Sequence, residues 1–268
     1  MNLNLSSICT AVESIAGEAA SLIRNERSKL QSSEIEIKGL NDLVTYIDKS
    51  SEQFIVESLK DIVPNAGYIT EENSIKPEKA DYQWIIDPLD GTTNFVHGLQ
   101  PYAVSIALMY RSTTLLGVVY EITGSECYSA IKSKGAFMNS KRIKVSSTSN
   151  IKNSLYVTGF PVSNFSRNKE YFRLMDYLIQ NSHGVRRLGS AAADLAFVAC
   201  GRLDAFYEYD LKPWDVAGGA IIVEEAGGRV GDFSGLPNHI FGKEIIASNS
   251  LIFSDLQNII ADFMQHKK

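Results

Sequence analysis

The chain has 268 residues, 44% hydrophobic and 21% charged, which is enough apolar material for a large core in one unit or two closely packed ones. Its 26 basic and 31 acidic residues leave a net charge of −5. Such a surface does not attract nucleic acid or anionic membrane by itself, so an anionic substrate needs local help from metals or oriented amides.

Residues 5–31 read as an amphipathic helix, with Ile8, Val12, Ile15, Ala19, Leu22 and Ile23 at helical spacing and Ser6 or Ser7 as cap. Asn41 to about Ile62 gives a second helical pattern, ended by Pro64. Tyr68-Ile-Thr70 and Trp84-Ile-Ile86 look like strands, and Val104–Tyr110, Leu115–Glu121 and Glu126–Ile131 predict a β-rich middle joined by hairpin turns. Gly135 to Val145 predicts one more short hairpin. Beyond it strands alternate with helices: strands at Ser154–Thr158, Gly184–Leu188, Leu203–Glu208 and Glu244–Ser248, and helices at Asn168–Ile179, Ser190–Ala199, Val216–Ala226 and about Leu251–Met264. No flexible linker or repeat interrupts the chain. The expectation is a layered α/β protein with tightly joined halves, 1–145 and 146–268.

The three cysteines, Cys9, Cys127 and Cys200, form no CxxC or Cys/His cluster and read as small buried residues of a reducing compartment. Met1–Ser7 lacks a basic or apolar leader region, and no apolar run approaches a membrane span, so a soluble cytoplasmic protein is expected.

Chemistry concentrates in Asp87-Pro-Leu-Asp90-Gly-Thr92-Thr-Asn94. Two acids this close repel each other unless a cation sits between them. Gly91-Thr92-Thr93 offers free amides at the start of a possible short helix, a ready anion site. By itself the stretch is also good turn chemistry. Glu71-Glu72 follows a short strand and reads either as a solvated pair or as a carboxylate aimed at the same cation. Asp215, in Pro213-Trp-Asp-Val-Ala-Gly-Gly219, reads as a plain helix cap, although Gly218 and Gly219 lower helix propensity and suit close approach of another backbone or a ligand. Asp48 in the second helix defaults to an exposed side chain. Gly189-Ser190-Ala191 opens a helix whose amides can take a hydroxyl or an anion, or simply form a tight turn. His97, His183 and His239 show no metal-ligand spacing.

Together, Asp87–Asn94, Trp214–Gly219 and Glu71-Glu72 resemble the signature of the inositol monophosphatase family, the Mg2+-dependent, lithium-sensitive sugar-phosphate phosphatases, in its bacterial inositol-1-monophosphatase branch. Thr93–Gly98 and Thr158-Gly-Phe-Pro161 are similar to that branch, while Thr70 stands where the family usually has glycine. The resemblance implies an αβαβα sandwich, a homodimer, a small polyol phosphate substrate and Mg2+ as cofactor. In that scheme Glu71, Asp87 and the Leu89 carbonyl hold a first Mg2+, Asp87, Asp90 and Asp215 a second, and Glu71 with water a looser third. Thr92, partnered by Asp48, orients the attacking water. The Gly91 and Thr92 amides hold phosphate, and Asp90, Gly189, Ser190, Ala191, Glu208 and Asp215 meet the substrate. Histidinol phosphate, fructose bisphosphate and a 3′-phosphonucleotide remain alternative substrates.

Overall fold

The computed structural model describes residues 3–31, 34–39, 42–76 and 79–264. Helix α1 (Leu5–Arg27) is followed by a small hairpin, β1 (Ile35–Gly39) and β2 (Asp42–Thr45), and by α2 (Tyr46–Leu59). Next come β3 (Gly67–Thr70), β4 (Tyr82–Asp90), the short α3 (Thr92–His97), β5 (Ala103–Tyr110), β6 (Thr113–Glu121), β7 (Glu126–Ile131), β8 (Gly135–Met138) and β9 (Lys141–Arg142). The remainder is β10 (Leu155–Thr158), α4 (Asn168–Gln180), β11 (Gly184–Arg186), α5 (Ala191–Ala199), β12 (Ala205–Tyr209), α6 (Pro213–Glu225), β13 (Gly228–Gly231), β14 (Glu244–Asn249) and α7 (Phe253–Met264).

Strands β3 to β9 form one seven-stranded sheet in chain order, and the later strands form a five-stranded sheet of order β11-β10-β12-β14-β13. Period-two alternation decides what each sheet covers. On β5, Val104, Ile106 and Leu108 turn to the core shared with α1 and α2, while Ala103 turns to the core shared with α5 and α6. On β12 and β14, Phe206, Ile245 and Ala247 join that same α5/α6 core, whereas Ala205, Tyr207 and Ile246 face α4 and α7. The layers are therefore α1/α2, first sheet, α5/α6, second sheet, α4/α7: an αβαβα sandwich.

Several expected boundaries move, those of the first two helices most of all. The first helix ends at Arg27 rather than residue 31, because the chain turns there, with the Lys29 and Leu30 amides both bonding the Glu26 carbonyl. The second begins at Tyr46. Asn41, its expected start, lies outside the described residues, and Leu43-Val44-Thr45 is strand, paired antiparallel with Ile35–Ile37. A β-branched pair beside Leu43 suits a strand, and Thr45, extended at φ −124° and ψ 168°, caps the helix that follows. The short strand β13 directly after Gly227 also went unread in the sequence.

The middle layer explains the glycines of α6. A Cβ on Gly219 would stand 2.5 Å from the Leu195 Cβ of α5, and one on Gly218 would stand 2.7 Å from Ser105 Oγ. Across the contact, a Cβ on Gly117 of β6 would stand 2.5 Å from the Gly218 carbonyl oxygen. The close approach is thus by neighbouring strand and helix. Gly117→Ala in a strand interior would ordinarily gain about 0.5–1 kcal/mol. Here the new methyl meets backbone, and overpacking costs about 1–3 kcal/mol, so a net loss is expected, read as a lowered Tm in thermal melting.

Candidate active site

The sequence-predicted residues meet in one cleft of about 890 Å³ between the ends of both sheets. Glu71, Asp87, Leu89, Asp90, Gly91, Thr92, Gly189, Ser190, Ala191, Glu208 and Asp215 all line it. Asp48 stands behind that wall, bonded to Thr92.

A β-bulge sets the central pair. Asp87 pairs with Ser105 and Asp90 with Ala103, so three steps on β4 match two on β5. In a regular strand residues three apart face opposite sides. The extra residue puts Leu89 into the α1/α2 core and returns Asp90 to the side of Asp87. The strand therefore runs three residues past Asp87, its expected end.

Helix starts surround the pair. Asp48 is the third residue of α2, and its Oδ2 accepts from the Thr45 amide at 2.8 Å and the Thr45 hydroxyl at 2.6 Å, a capping box. Its other oxygen, Oδ1, lies 3.0 Å from Thr92 Oγ1, which is also 3.0 Å from the Leu89 carbonyl. With 1% of its surface exposed, Asp48 is buried and not the solvent-facing residue that helix position alone suggested. Asp215 holds the equivalent place in α6, accepting from the Lys212 amide at 2.7 Å. Asp90 reaches the start of α5, where its Oδ2 accepts from Ser190 Oγ and the Ala192 amide, both at 2.7 Å. Helix N-termini carry partial positive charge and favour these anions.

The two motifs touch through glycines. Gly91 (φ 91°) and Gly189 (φ 98°) both sit in left-handed backbone, and a Cβ on Gly91 would stand 3.1 Å from the Gly189 carbonyl. Asn94 locks the junction, donating to the carbonyls of Pro101 at 2.8 Å and Leu188 at 2.7 Å.

Several side chains escaped the sequence reading. Glu52 of α2 is fully buried and accepts from the Glu72 and Ser74 amides, both at 2.7 Å, so it shapes the turn that carries Glu71. Asp194, 1% exposed, lines the cleft with its Oδ1 buried and without a hydrogen-bond partner. Arg187 lines it as well. A readable signal existed for Asp194, a lone carboxylate in an otherwise apolar helix, but not for Glu52, which shares its helix face with Asp48 and Ser51.

Burial, and after it crowding, raises the proton affinity of several acids here. Burial pushes Asp90 up to about 6, even against the bonds from Ser190 and Ala192 and the Arg187 charge. Burial, then the charge of Asp90, pushes Asp215 up to about 7. Asp87 lies well above the carboxylate range through burial and then the charges of Glu71, Asp90 and Asp215. Glu208 and Asp194 are raised by burial and by neighbouring acids, with Arg187 opposing, and burial likewise raises Asp48.

Could these residues hold a metal ion? Among the described residues no three acid, histidine or cysteine side chains converge as a ready-formed cage. Asp90 and Asp215 are each turned to their own donors, and Asp87 is hydrogen-bonded with Glu71. The donor set is nonetheless all oxygen, carboxylates with one carbonyl, and its members repel one another. That chemistry fits a hard divalent cation such as Mg2+ and does not suit softer ions.

A profile of the inositol monophosphatase family matches residues 4–267. The chain belongs to the inositol monophosphatase family. A putative Nus factor SuhB of Neisseria meningitidis serogroup B is 39% identical over 247 residues, covering 92% of this chain and 95% of the relative. Among solved structures, the extragenic suppressor protein suhB of Bartonella henselae superposes with a TM-score of 0.90 at 34% identity, over 95% of this chain and 98% of that one. The inositol monophosphatase of Anabaena (Nostoc) sp. PCC 7120 does so with a TM-score of 0.86 at 34% identity, over 97% of both chains. The family is generally metal-dependent. No helix among the described residues is long and apolar enough to cross a membrane.

The raised acids give a signed pH dependence. Asp215 binds its proton more tightly folded than unfolded, so its contribution is neutral below about 4 and turns destabilising as pH rises towards about 7. In chelator, Asp215→Asn keeps an acceptor for the Lys212 amide and loses the buried charge. It is expected to melt above wild type at pH 8, with the gain shrinking to nothing near pH 4. A gain that does not depend on pH would contradict the assignment.

Proposed function

We propose that this chain is a phosphoric monoester hydrolase that cleaves myo-inositol 1-phosphate and similar small polyol monophosphates, as a homodimer with Mg2+ as cofactor. The observation that carries the reading is the Asp48–Thr92 pair set beside the carboxylates of Glu71, Asp87, Asp90 and Asp215 in a single cleft.

In this reading Glu71, Asp87 and the Leu89 carbonyl hold one ion, and Asp87, Asp90 and Asp215 another. Bound Mg2+ supplies charge neutralisation of the phosphate, acidification of water and stabilisation of the leaving alkoxide. The protein's own groups do the positioning. Asp48 Oδ1 takes the Thr92 hydroxyl hydrogen, which leaves the Thr92 oxygen lone pairs to accept from the attacking water. Burial makes Asp48 more basic than a solvated aspartate, as a proton acceptor needs. The Thr92 amide, with the Gly91 amide that the Asp90 carboxylate holds in the structure, is the proposed donor to the phosphate oxygens. Water attacks phosphorus in line and gives up a proton towards Thr92 and Asp48, the P–O ester bond breaks opposite it, and the alkoxide departs on the side of Asp90 and Asp215, taking a proton from solvent water to leave as the alcohol. Glu208, with Gly189, Ser190 and Ala191, receives the alcohol's hydroxyls. No side chain in the cleft needs to form a covalent phospho-enzyme.

Histidinol phosphate, fructose 1,6-bisphosphate and 3′-phosphoadenosine 5′-phosphate fit the same chemistry. Ranking all four by kcat/KM tests the substrate. A second reading comes from the Neisseria relative, named a putative Nus factor: this chain could serve as such a factor without hydrolysis. A variant without turnover that still supports the factor's role in cells would favour it.

Phosphate release is expected only with Mg2+, and Li+ should inhibit it. Asp90→Asn should lower kcat on the order of a thousandfold, since one shared ligand is worth several kcal/mol in the transition state. Wild-type turnover in that variant would overturn the metal scheme.

A further inference from the structure

The stretch between β10 and α4 has no regular structure, yet Phe160, Pro161 and Val162 form one wall of the cleft. Acids from β12 and the turn after it stand at both ends of that wall. Glu208 places its carboxylate where a Cβ on Gly159 would stand, so the wall begins flush against the proposed alcohol end of the cleft. Two residues further on, Asp210 Oδ2 accepts from the Ser163 amide at 2.9 Å, the Ser163 hydroxyl at 2.9 Å and the Asn164 amide at 2.7 Å. Bonds to an ionised acceptor are roughly twice as strong as neutral ones.

Asp210 makes these bonds from left-handed backbone, φ 71°. A residue with a side chain is uncommon there, and such positions persist only when the surroundings over-determine them. Here the side-chain contacts lead to the cleft wall, while Tyr209 and Leu211 on either side are held by Glu244 and the Lys243 carbonyl. Burial alone would raise the Asp210 carboxyl, but the bonds from Asn164 and Ser163 and the charge of Lys212 outweigh it and hold the carboxyl below its ordinary pKa. The wall also carries an aromatic face at the cleft mouth. The Phe160 ring lies 5.7 Å from the Arg187 guanidinium carbon and 5.9 Å from the Phe172 ring. Any shift of the stretch therefore moves an aromatic face against a cleft-lining cation.

We propose that Asp210 is a positioning residue for substrate selection: by pinning Ser163 and Asn164 it keeps the Phe160–Val162 wall close to Glu208, which favours compact polyol phosphates over bulkier nucleoside phosphates. The proposal rests on the phosphatase reading above. Asp210 acts through the wall and takes no part in the bond-breaking step.

The test compares wild type, Asp210→Asn and Asp210→Gly in full-length protein with Mg2+. Both variants lose the charge and both tolerate left-handed backbone, but only Asn keeps an acceptor oxygen for the wall. The difference between them therefore isolates the clamp. Amide hydrogen exchange over residues 160–166 should quicken about tenfold in Asp210→Gly and clearly less in Asp210→Asn, while the overall Tm holds. On myo-inositol 1-phosphate, Asp210→Gly should raise KM about fivefold and change kcat less than about twofold. Its preference for that substrate over adenosine 2′-monophosphate should fall, with Asp210→Asn in between. Unchanged exchange in the wall, a uniform exchange gain with a lower Tm, or a loss of kcat at constant KM would each overturn the proposal. If wild type hydrolyses neither phosphate, the phosphatase reading fails and substrate selection with it. The exchange comparison then decides separately whether Asp210 clamps the wall.

Discussion

The structure around the cleft depends on one constraint: carboxylates from distant parts of the chain are held within mutual reach in a partly desolvated wall. Asp87 and Asp90 come from β4, Asp215 from α6, Glu71 from the end of β3, and Asp194 and Glu208 from the second sheet's side. Asp87, Asp194, Glu208 and Asp215 have their proton affinity raised first by burial and then by neighbouring carboxylates. Such an arrangement is unfavourable for folding unless something offsets it. Hydrogen bonds from helix starts offset part: the Lys212 amide for Asp215, Ser190 and the Ala192 amide for Asp90, Thr45 for Asp48. In the phosphatase reading a divalent cation supplies the rest.

The sandwich supplies this geometry in specific ways. The bulge at Pro88-Leu89 returns Asp90 to the side of Asp87, which regular alternation forbids. Glycines at 117, 218 and 219 bring α6 close enough to the first sheet and α5 for Asp215 to arrive at the same cleft as Asp87. Gly91 and Gly189 let two loops from different sheets meet backbone to backbone. Removing any of these displaces a carboxylate rather than deleting one, so the fold and the chemistry share the same contacts.

Much of this was legible because it is local in sequence. The acids, glycine and hydroxyls of residues 87–94 sit within eight positions, and the apolar run before them reads as a strand. The strands from Val104 to Ile131 announce themselves through alternation and turns. Other features were hidden for physical reasons. Strands β1, β2 and β13 are four or five residues long, too short for a period to emerge, and Leu43, Val44 and Ile47 happen to fit helical spacing too. The bulge cannot be read from one strand, because it is a property of the pairing. Asp48 looked solvent-facing since helix position says nothing of what lies over it; only the resemblance linked it to Thr92, 44 residues away. Glu52, Arg187 and Asp194 carry no motif. Gly218 and Gly219 did signal close approach, and the structure identifies what approaches as strand and helix.

The proposed cation site requires that binding displace the protons of these raised carboxylates, and those protons can be counted. Calorimetric titration of Mg2+ into chelator-stripped protein at pH 6, repeated in buffers of different ionisation enthalpy, measures protons released on binding. Because Asp215 titrates at about 7 and Asp90 at about 6, binding is predicted to release about one proton or more at pH 6 and progressively fewer towards pH 9. Binding without proton release at pH 6, or no binding at all, would rule out a cation held by these carboxylates.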